Sequence, residues 1–535
     1  MKRLRRVLIG VPVLGLALGL AACSGGSTIP AAVSSPGGSA SSAASAASGT
    51  SSASAAPAKG GDLTVMVVAG GLATWPSLDP IAAGTANEDY RTAVFGELFH
   101  QNANGTIVPA LAQSYSVSSD GRTVTIGLRP NVSFSDGTPL NAAAVVTNYK
   151  RDLAPANACS CALTFAAIKN VAASGSNVVI TLSAPMPAFQ AAMINSALNW
   201  IASPAALTKE GKSFGSSPVG AGPFTVASND PSVKLVLAAN PNYYVKGEPY
   251  LSQLTFESVG NDQSALSALQ SGTAQVAEGI TTQQLLTAAK SQFSVVPLPV
   301  ADVFQVTYDT KAPPLNNPVA REALSYATNA AELDQGLFGG QNKLDEVSVA
   351  SDSPFYEKSV PSYESYDLAK AKALVKQLGG LTVTIQGSPS STGSALEQGL
   401  ETEWAQAGIK VSKINQVALP QLIANFASNN WQVDVGFSGA LDPSLALGLS
   451  FYFGSHGPSS GVANPAFDAL LAKAATEMNP TQRAADYDQA YQMIWSNSWG
   501  NFLFEDPTYD VVSSSVSGIG QTPPTWIDWG SVGVK

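Results

Sequence analysis

The chain has 535 residues, 45% of them apolar and only 12% charged, and its 28 Lys and Arg against 38 Asp and Glu leave a net charge of −10. With a pI near 4.8 this balance excludes nucleic acid as a partner. A chain this long exceeds one ordinary hydrophobic core, so two or more lobes are predicted.

Lys2, Arg3, Arg5 and Arg6 precede an apolar run from Val7 to Leu20, then Ala21, Ala22 and Cys23. A basic start, a short apolar run and small residues at its end make a secretory signal over residues 1–22. About 14 apolar residues are too few to span a bilayer comfortably. The small-residue box directly before Cys23 resembles a bacterial lipoprotein signal. The resemblance implies cleavage before Cys23 and acylation of its sulfur, a lipid anchor of the palmitate type. Residues 23–60 are a tether rich in Ser, Ala and Gly that cannot bury a core. Folding begins with the strand pattern Asp62–Val68, and beyond it no run of about 18 apolar residues occurs.

The first half is rich in strand patterns, predicted at Ser114–Val117, Thr123–Leu128, Val178–Leu182, Lys234–Ala238 and Leu254–Val259. Asp120-Gly121 reads as a hairpin turn, and Asn141 caps a helix over Ala142–Asp152. An α/β pattern follows through Asp262–Gln270, Ala274–Glu278 and Thr281–Lys290. In the second half, Asn317 with Pro318 and Asn329 with Glu332 each open a helix, stopped at Gly339-Gly340. Asp367 caps a helix to Leu378, Leu381–Ile385 is a strand, and a helix spans about Ser394–Ala407. Ile409–Val411, a helix at Leu422–Phe426 and a strand at Trp431–Phe437 complete a βαβαβ order, which predicts a mostly parallel sheet covered on both faces. Asn464-Pro465 and Asn479-Pro480 open the last two helices. The stripe of Val319, Ala323, Tyr326 and Ala327 predicts that Tyr326 is buried.

Catalytic chemistry finds little footing. His100 and His456 are the only histidines and neither sits near a cluster of Cys or carboxylates with metal-ligand spacing, so no metal or cofactor is expected. The full phosphate-loop pattern Gly-x4-Gly-Lys-Ser or Gly-x4-Gly-Lys-Thr does not occur. A cell-surface glycosidase needs only two carboxylates and stays open as the alternative. Cys159 and Cys161 are either a close disulfide or two free thiols.

The motifs Pro109-Ala110-Leu111-Ala112, Leu128-Arg129-Pro130, Phe134-Ser135-Asp136-Gly137-Thr138-Pro139-Leu140, Pro218-Val219-Gly220-Ala221-Gly222-Pro223-Phe224 and Asn240-Pro241-Asn242-Tyr243-Tyr244 appear in that order. So do Leu266 to Gly272, Val319 to Ala327 and Asn464 to Gly518. Together they resemble the peptide/nickel/oligosaccharide class (family 5) of bacterial ABC-transporter solute-binding proteins, over essentially the whole folded chain. Locally they read as turns and fold markers.

The resemblance implies an α/β, two-lobed periplasmic-binding-protein-like fold of the class II type, closing on a solute by hinge motion. Lobe 1 is expected over 61–299, including a β-rich subdomain at about 96–214, with lobe 2 over 300–505 and a return to lobe 1 over 506–535. The crossings are expected near Leu298–Asp302 and Phe504–Asp510. The implied function is an extracytoplasmic monomer that captures a small solute such as a peptide or oligosaccharide and delivers it to the permease subunits without converting it. Ligand contact is expected from Trp75 and Asp79 after the first strand, and from Trp404, Trp431, Phe437 and Asp442 in lobe 2. Peptide-binding members grip the free amine with an Asp in the segment that resembles Gly436–Pro443. This chain has Ala440 there and Asp442 in the following Asp-Pro turn, which points to a solute that binds without a free amine.

Overall fold

The described body is built on three larger sheets, each fed by the strand signals above, with two further two-stranded pairs. The computed structural model describes residues 59–535 apart from 69–74, 76, 83–88, 103–104, 158, 160, 299–301, 350, 352–355, 357, 390, 440–444 and 521–526. Cys23 and Asp442 therefore lie outside the described residues. Residues 56–535 fall in one compact unit.

In chain order the strands are β1 (Asp62–Val68), β2 (Phe99–Gln101), β3 (Ile107–Pro109), β4 (Ala112–Val117), β5 (Thr123–Leu128), β6 (Ile168–Ser174), β7 (Asn177–Leu182), β8 (Phe224–Asp230), β9 (Lys234–Ala239), β10 (Gln253–Val259), β11 (Val276–Ile280), β12 (Ser294–Pro297), β13 (Asp302–Tyr308), β14 (Leu381–Gly387), β15 (Ile409–Gln416), β16 (Val433–Gly439), β17 (Gly500–Glu505) and β18 (Tyr509–Val512). Lobe 1 carries a seven-stranded sheet in the order β12-β18-β11-β1-β10-β9-β8, and lobe 2 a five-stranded sheet, β15-β14-β16-β13-β17. The β-rich subdomain is the antiparallel sheet β4-β5-β7-β6.

Each lobe is a three-layer sandwich because its sheet alternates apolar residues to both faces. In lobe 1, Leu63, Val65 and Val67 face a core containing Trp75, Tyr90 and Trp529, while Met66, Ala277 and Val511 face the helices Asp262–Gln270 and Gln283–Ala289. In lobe 2, Val306, Val383, Ile385 and Val433 pack against the helices Pro318–Ala327, Leu368–Gln377 and Ser391–Gln406. Val303 and Phe502 pack on the opposite face against Leu445–Phe453, Pro465–Thr476 and Pro480–Ser496.

Two expectations change. The lobe 2 sheet is mixed rather than mostly parallel: β14 pairs in parallel with β15 and β16, but β13 runs antiparallel to β16 and β17. The cause is that β13 enters and β17 leaves this lobe outside the βαβ units. Tyr326 is half-buried rather than buried, because its ring carries the Lys370 ammonium 3.8 Å from its centroid. Cys159 and Cys161 are joined by a disulfide.

The strands that flank the two passages between the sheets are neighbours. β12 and β18 are antiparallel neighbours in lobe 1, and β13 and β17 are antiparallel neighbours in lobe 2. Between them Leu298 N–H donates to the Thr508 carbonyl at 2.9 Å.

Candidate functional site

Several buried polar groups stand where these paired strands leave each sheet. On the lobe 1 side, β11 and β18 pair at Ala277–Val511 and at Ile280–Tyr509 with a register shift between, so Glu278 and Gly279 together oppose Asp510. A bulge of this kind re-aims side chains, and Gly279 takes it at φ 78°. Glu278 is 2% exposed and Asp510 1%. Burial, then repulsion from Asp89, pushes both carboxyls well above the usual range; Asp510 adds to the push on Glu278, and a hydrogen bond from the Gly279 backbone partly offsets it at Asp510.

On the lobe 2 side, Gln305 of β13 is 1% exposed, and neither its amide nitrogen nor its oxygen has a hydrogen-bond partner among the described residues. It stands opposite Gly436 and Phe502, on the same sheet face as Val303 and Thr307. Nearby, burial followed by repulsion from Glu505 raises the Asp345 carboxyl to about 7. The sequence reading missed Glu278, Asp510 and Gln305. Their only signal was a polar residue at an inward position of a strand.

The expected residues divide. Trp75 is buried and meets Tyr90 edge-on at 6.1 Å between ring centroids, and its indole N–H has no partner among the described residues. Asp79 is bound into structure instead: its carboxylate pairs with Arg151 and accepts the Ile81 N–H at 3.2 Å, while its carbonyl accepts from Arg91 at 2.7 Å. Trp404 is a core residue of lobe 2 with no exposed surface, and its indole N–H is satisfied by Thr328, so it faces no solute. Trp431 stacks edge-on against Phe426 and lines a polar groove of about 540 Å³ with Gln386, Asn415, Gln421 and Asn425. All residues lining that groove belong to lobe 2. Phe437 is half exposed at the end of β16, and its carbonyl accepts from the Tyr452 hydroxyl at 3.0 Å.

A second cavity, about 330 Å³, lies between the β-rich subdomain, at Thr164 and Ala184–Ala188, and the lobe 2 helices that carry Leu447, Leu471 and Tyr487. Among the described residues no group of three His, Cys, Asp or Glu is placed to hold a metal. None of their helices is long and apolar enough to cross a membrane.

The model of the bacterial extracellular solute-binding proteins, family 5, matches residues 106–456. The chain belongs to that family. A relative, the glutathione-binding protein GsiB of Pectobacterium atrosepticum, is 28% identical over 85% of this chain and 91% of its own. Among solved structures, the periplasmic binding protein DppA from Helicobacter pylori in complex with the peptide STSA superposes with a TM-score of 0.75 at 22% identity, covering 89% of this chain and 98% of that one. The binding protein MoaA in complex with mannopinic acid, from A. tumefaciens R10, gives a TM-score of 0.75 at 24% identity and covers 89% and 99%. The family 5 fold is thus two-lobed along nearly the whole body, and its function is to bind a solute for an ABC transporter.

Proposed function

We propose that the chain is a lipid-anchored, monomeric receptor of an ABC importer that closes its two lobes on a peptide-like solute of the size of glutathione and hands it unchanged to the permease subunits. The lobes meet at a hinge near 298–302 and 504–510, with lobe 1 over 61–299 and 506–535, and the acylated Cys23 holds the body to the membrane through the tether. The observation that carries the reading is the paired passage β12–β13 and β17–β18. Two adjacent antiparallel strands, tied by Leu298 N–H to the Thr508 carbonyl, connect two otherwise separate sheets. Such a narrow link bends with little loss of packing. Trp75 on lobe 1 and Phe437 on lobe 2 are the proposed aromatic walls, and Gln305 the polar contact.

The test is calorimetry and small-angle scattering with glutathione and with the tetrapeptide Ser-Thr-Ser-Ala. A receptor gains about 2.7 kcal/mol of stability at a hundredfold excess over Kd, shrinks on binding and returns the solute unaltered. An unchanged radius at saturation, or recovery of a hydrolysed product, overturns the reading.

A further inference from the structure

Glu278 and Asp510 pose a charge problem that the chain itself leaves open. Glu278 alternates with Val276 on β11, and Asp510 with Val512 on β18, so both project to the sheet face that holds Trp75 and Tyr90. Asp89 opens the helix packed on that face, where its carboxylate accepts the Ile527 N–H at 2.7 Å. Glu278 Oε1 and Asp510 Oδ1 each lack a hydrogen-bond partner among the described residues, although both side chains are almost wholly buried. The charges that act on this pair are carboxylates. The nearby Arg91 guanidinium is engaged by the carbonyls of Ser77, Leu78 and Asp79. The internal stretches outside the described residues contain no Lys, Arg or His, so none of them can supply the missing cation.

Two buried carboxylates with open oxygens are strongly unfavourable unless protonated or paired with a cation. The pair lies within two residues of the C-terminal end of β11, beside β1 and next to the hinge strand β18, where open α/β sheets take their ligands. Trp75, on the same face, adds an aromatic wall, a usual companion of a bound ammonium, whereas the Tyr90 ring already carries the Arg91 guanidinium 5.1 Å from its centroid.

We propose that Glu278 and Asp510, with Asp89 beside them, form the lobe 1 subsite that receives an ammonium group of the solute. The inference rests on the receptor reading above and names the chemistry of its solute. It also reverses the expectation drawn from Ala440: the amine is gripped, but from the other lobe.

The experiment titrates the full chain with glutathione and with Ser-Thr-Ser-Ala, each as the free amine and as the N-acetyl form, and repeats this for Glu278→Gln and Asp510→Asn. The parent should bind a free amine at least 100-fold tighter than its acetylated form, and either variant should reduce that ratio below tenfold. Equal affinity for free and acetylated forms, or parent-like ratios in both variants, overturns the inference while leaving the receptor reading intact. Melting of the ligand-free proteins at pH 8 is the second arm. Removing a buried carboxylate that has an open oxygen and no cation facing it should raise the melting temperature, and a lower or unchanged value in both variants overturns the inference. Should neither peptide bind the parent, the peptide-class reading fails, and the melting arm alone decides the subsite.

Discussion

The indole N–H of Trp404 donates to the Thr328 hydroxyl at 3.0 Å, and Thr328 passes its own hydrogen to the Leu324 carbonyl at 2.9 Å. This pair locks the helix Ser391–Gln406 to the C-terminal end of Pro318–Ala327, inside the core of lobe 2. Trp404→Ala should therefore cost about 3–5 kcal/mol, the range for removing a buried Trp. The solute Kd, measured below the melting transition, should stay within a factor of two of the parent. A large loss of affinity with little loss of stability would return Trp404 to the binding surface.

Asp434 gives the lobe a pH signature. It is buried, accepts from the Gln386 amide at 3.3 Å and lies near Glu397, and burial first, then repulsion from Glu397, raises its carboxyl to about 7. The folded state thus holds a proton between pH 4 and 7 that the unfolded chain releases. Stability should fall as pH rises through that window, by up to about 1.4 kcal/mol per pH unit. Asp434→Asn should flatten the slope in denaturant titrations at pH 4.5, 5.5 and 6.5. A slope unchanged in the variant assigns it to other carboxyls.

The glycine-rich turn before β8 is a packing device. A Cβ on Gly222 would meet the Ala93 carbonyl and lie 2.7 Å from Gly96 N, with no flexible side chain to give way. Gly222 N–H also donates to the Val94 carbonyl at 3.0 Å, and the Asn240 amide donates to the Gly222 carbonyl at 2.8 Å. Gly222→Ala should destabilise by about 3 kcal/mol, at the upper end of overpacking costs. Wild-type stability in chemical denaturation would show that the loop relaxes freely.

These glycines and the helix caps were legible because their physics is local. Asn317 accepts from Val319 N–H at 3.0 Å, Asn329 from Glu332 N–H at 3.3 Å and Asp367 from Lys370 N–H at 2.9 Å, each within three residues of the signal that announced it. Strand direction was not local. β13 pairs with β17 across nearly the whole of lobe 2, and its antiparallel sense depends on where the chain enters and leaves that lobe. The candidate site was hidden for the same reason: Glu278 and Asp510 meet only through the β11–β18 register, and nothing within ten residues of either marks it. Trp404 misled because a large aromatic on a helix is as often core as contact, and only its buried partner Thr328 decides.

The anchor can be tested without the fold. Cys23 is the only cysteine near the apolar run. Cys23→Ala should leave the chain uncleaved or release it from the membrane, while the parent partitions into the detergent phase. A cleaved Cys23→Ala chain that still fractionates with membranes would remove lipidation from the account.

Gln305 offers the sharpest contrast between stability and binding. A buried amide with no partner among the described residues loses its hydration without recompense, an expense of about 1–3 kcal/mol that an apolar side chain of similar shape avoids. Gln305→Met fills nearly the same volume opposite Gly436, so the ligand-free protein should become more stable by about that amount. If the amide is held open to meet the solute, the same substitution should weaken solute binding at least tenfold, since the polar group of the solute would then be the one left unpaired. Thermal melting and calorimetry on one preparation separate the two effects. A variant that is less stable and binds as before would show that Gln305 is satisfied within lobe 2 and plays no part in recognition.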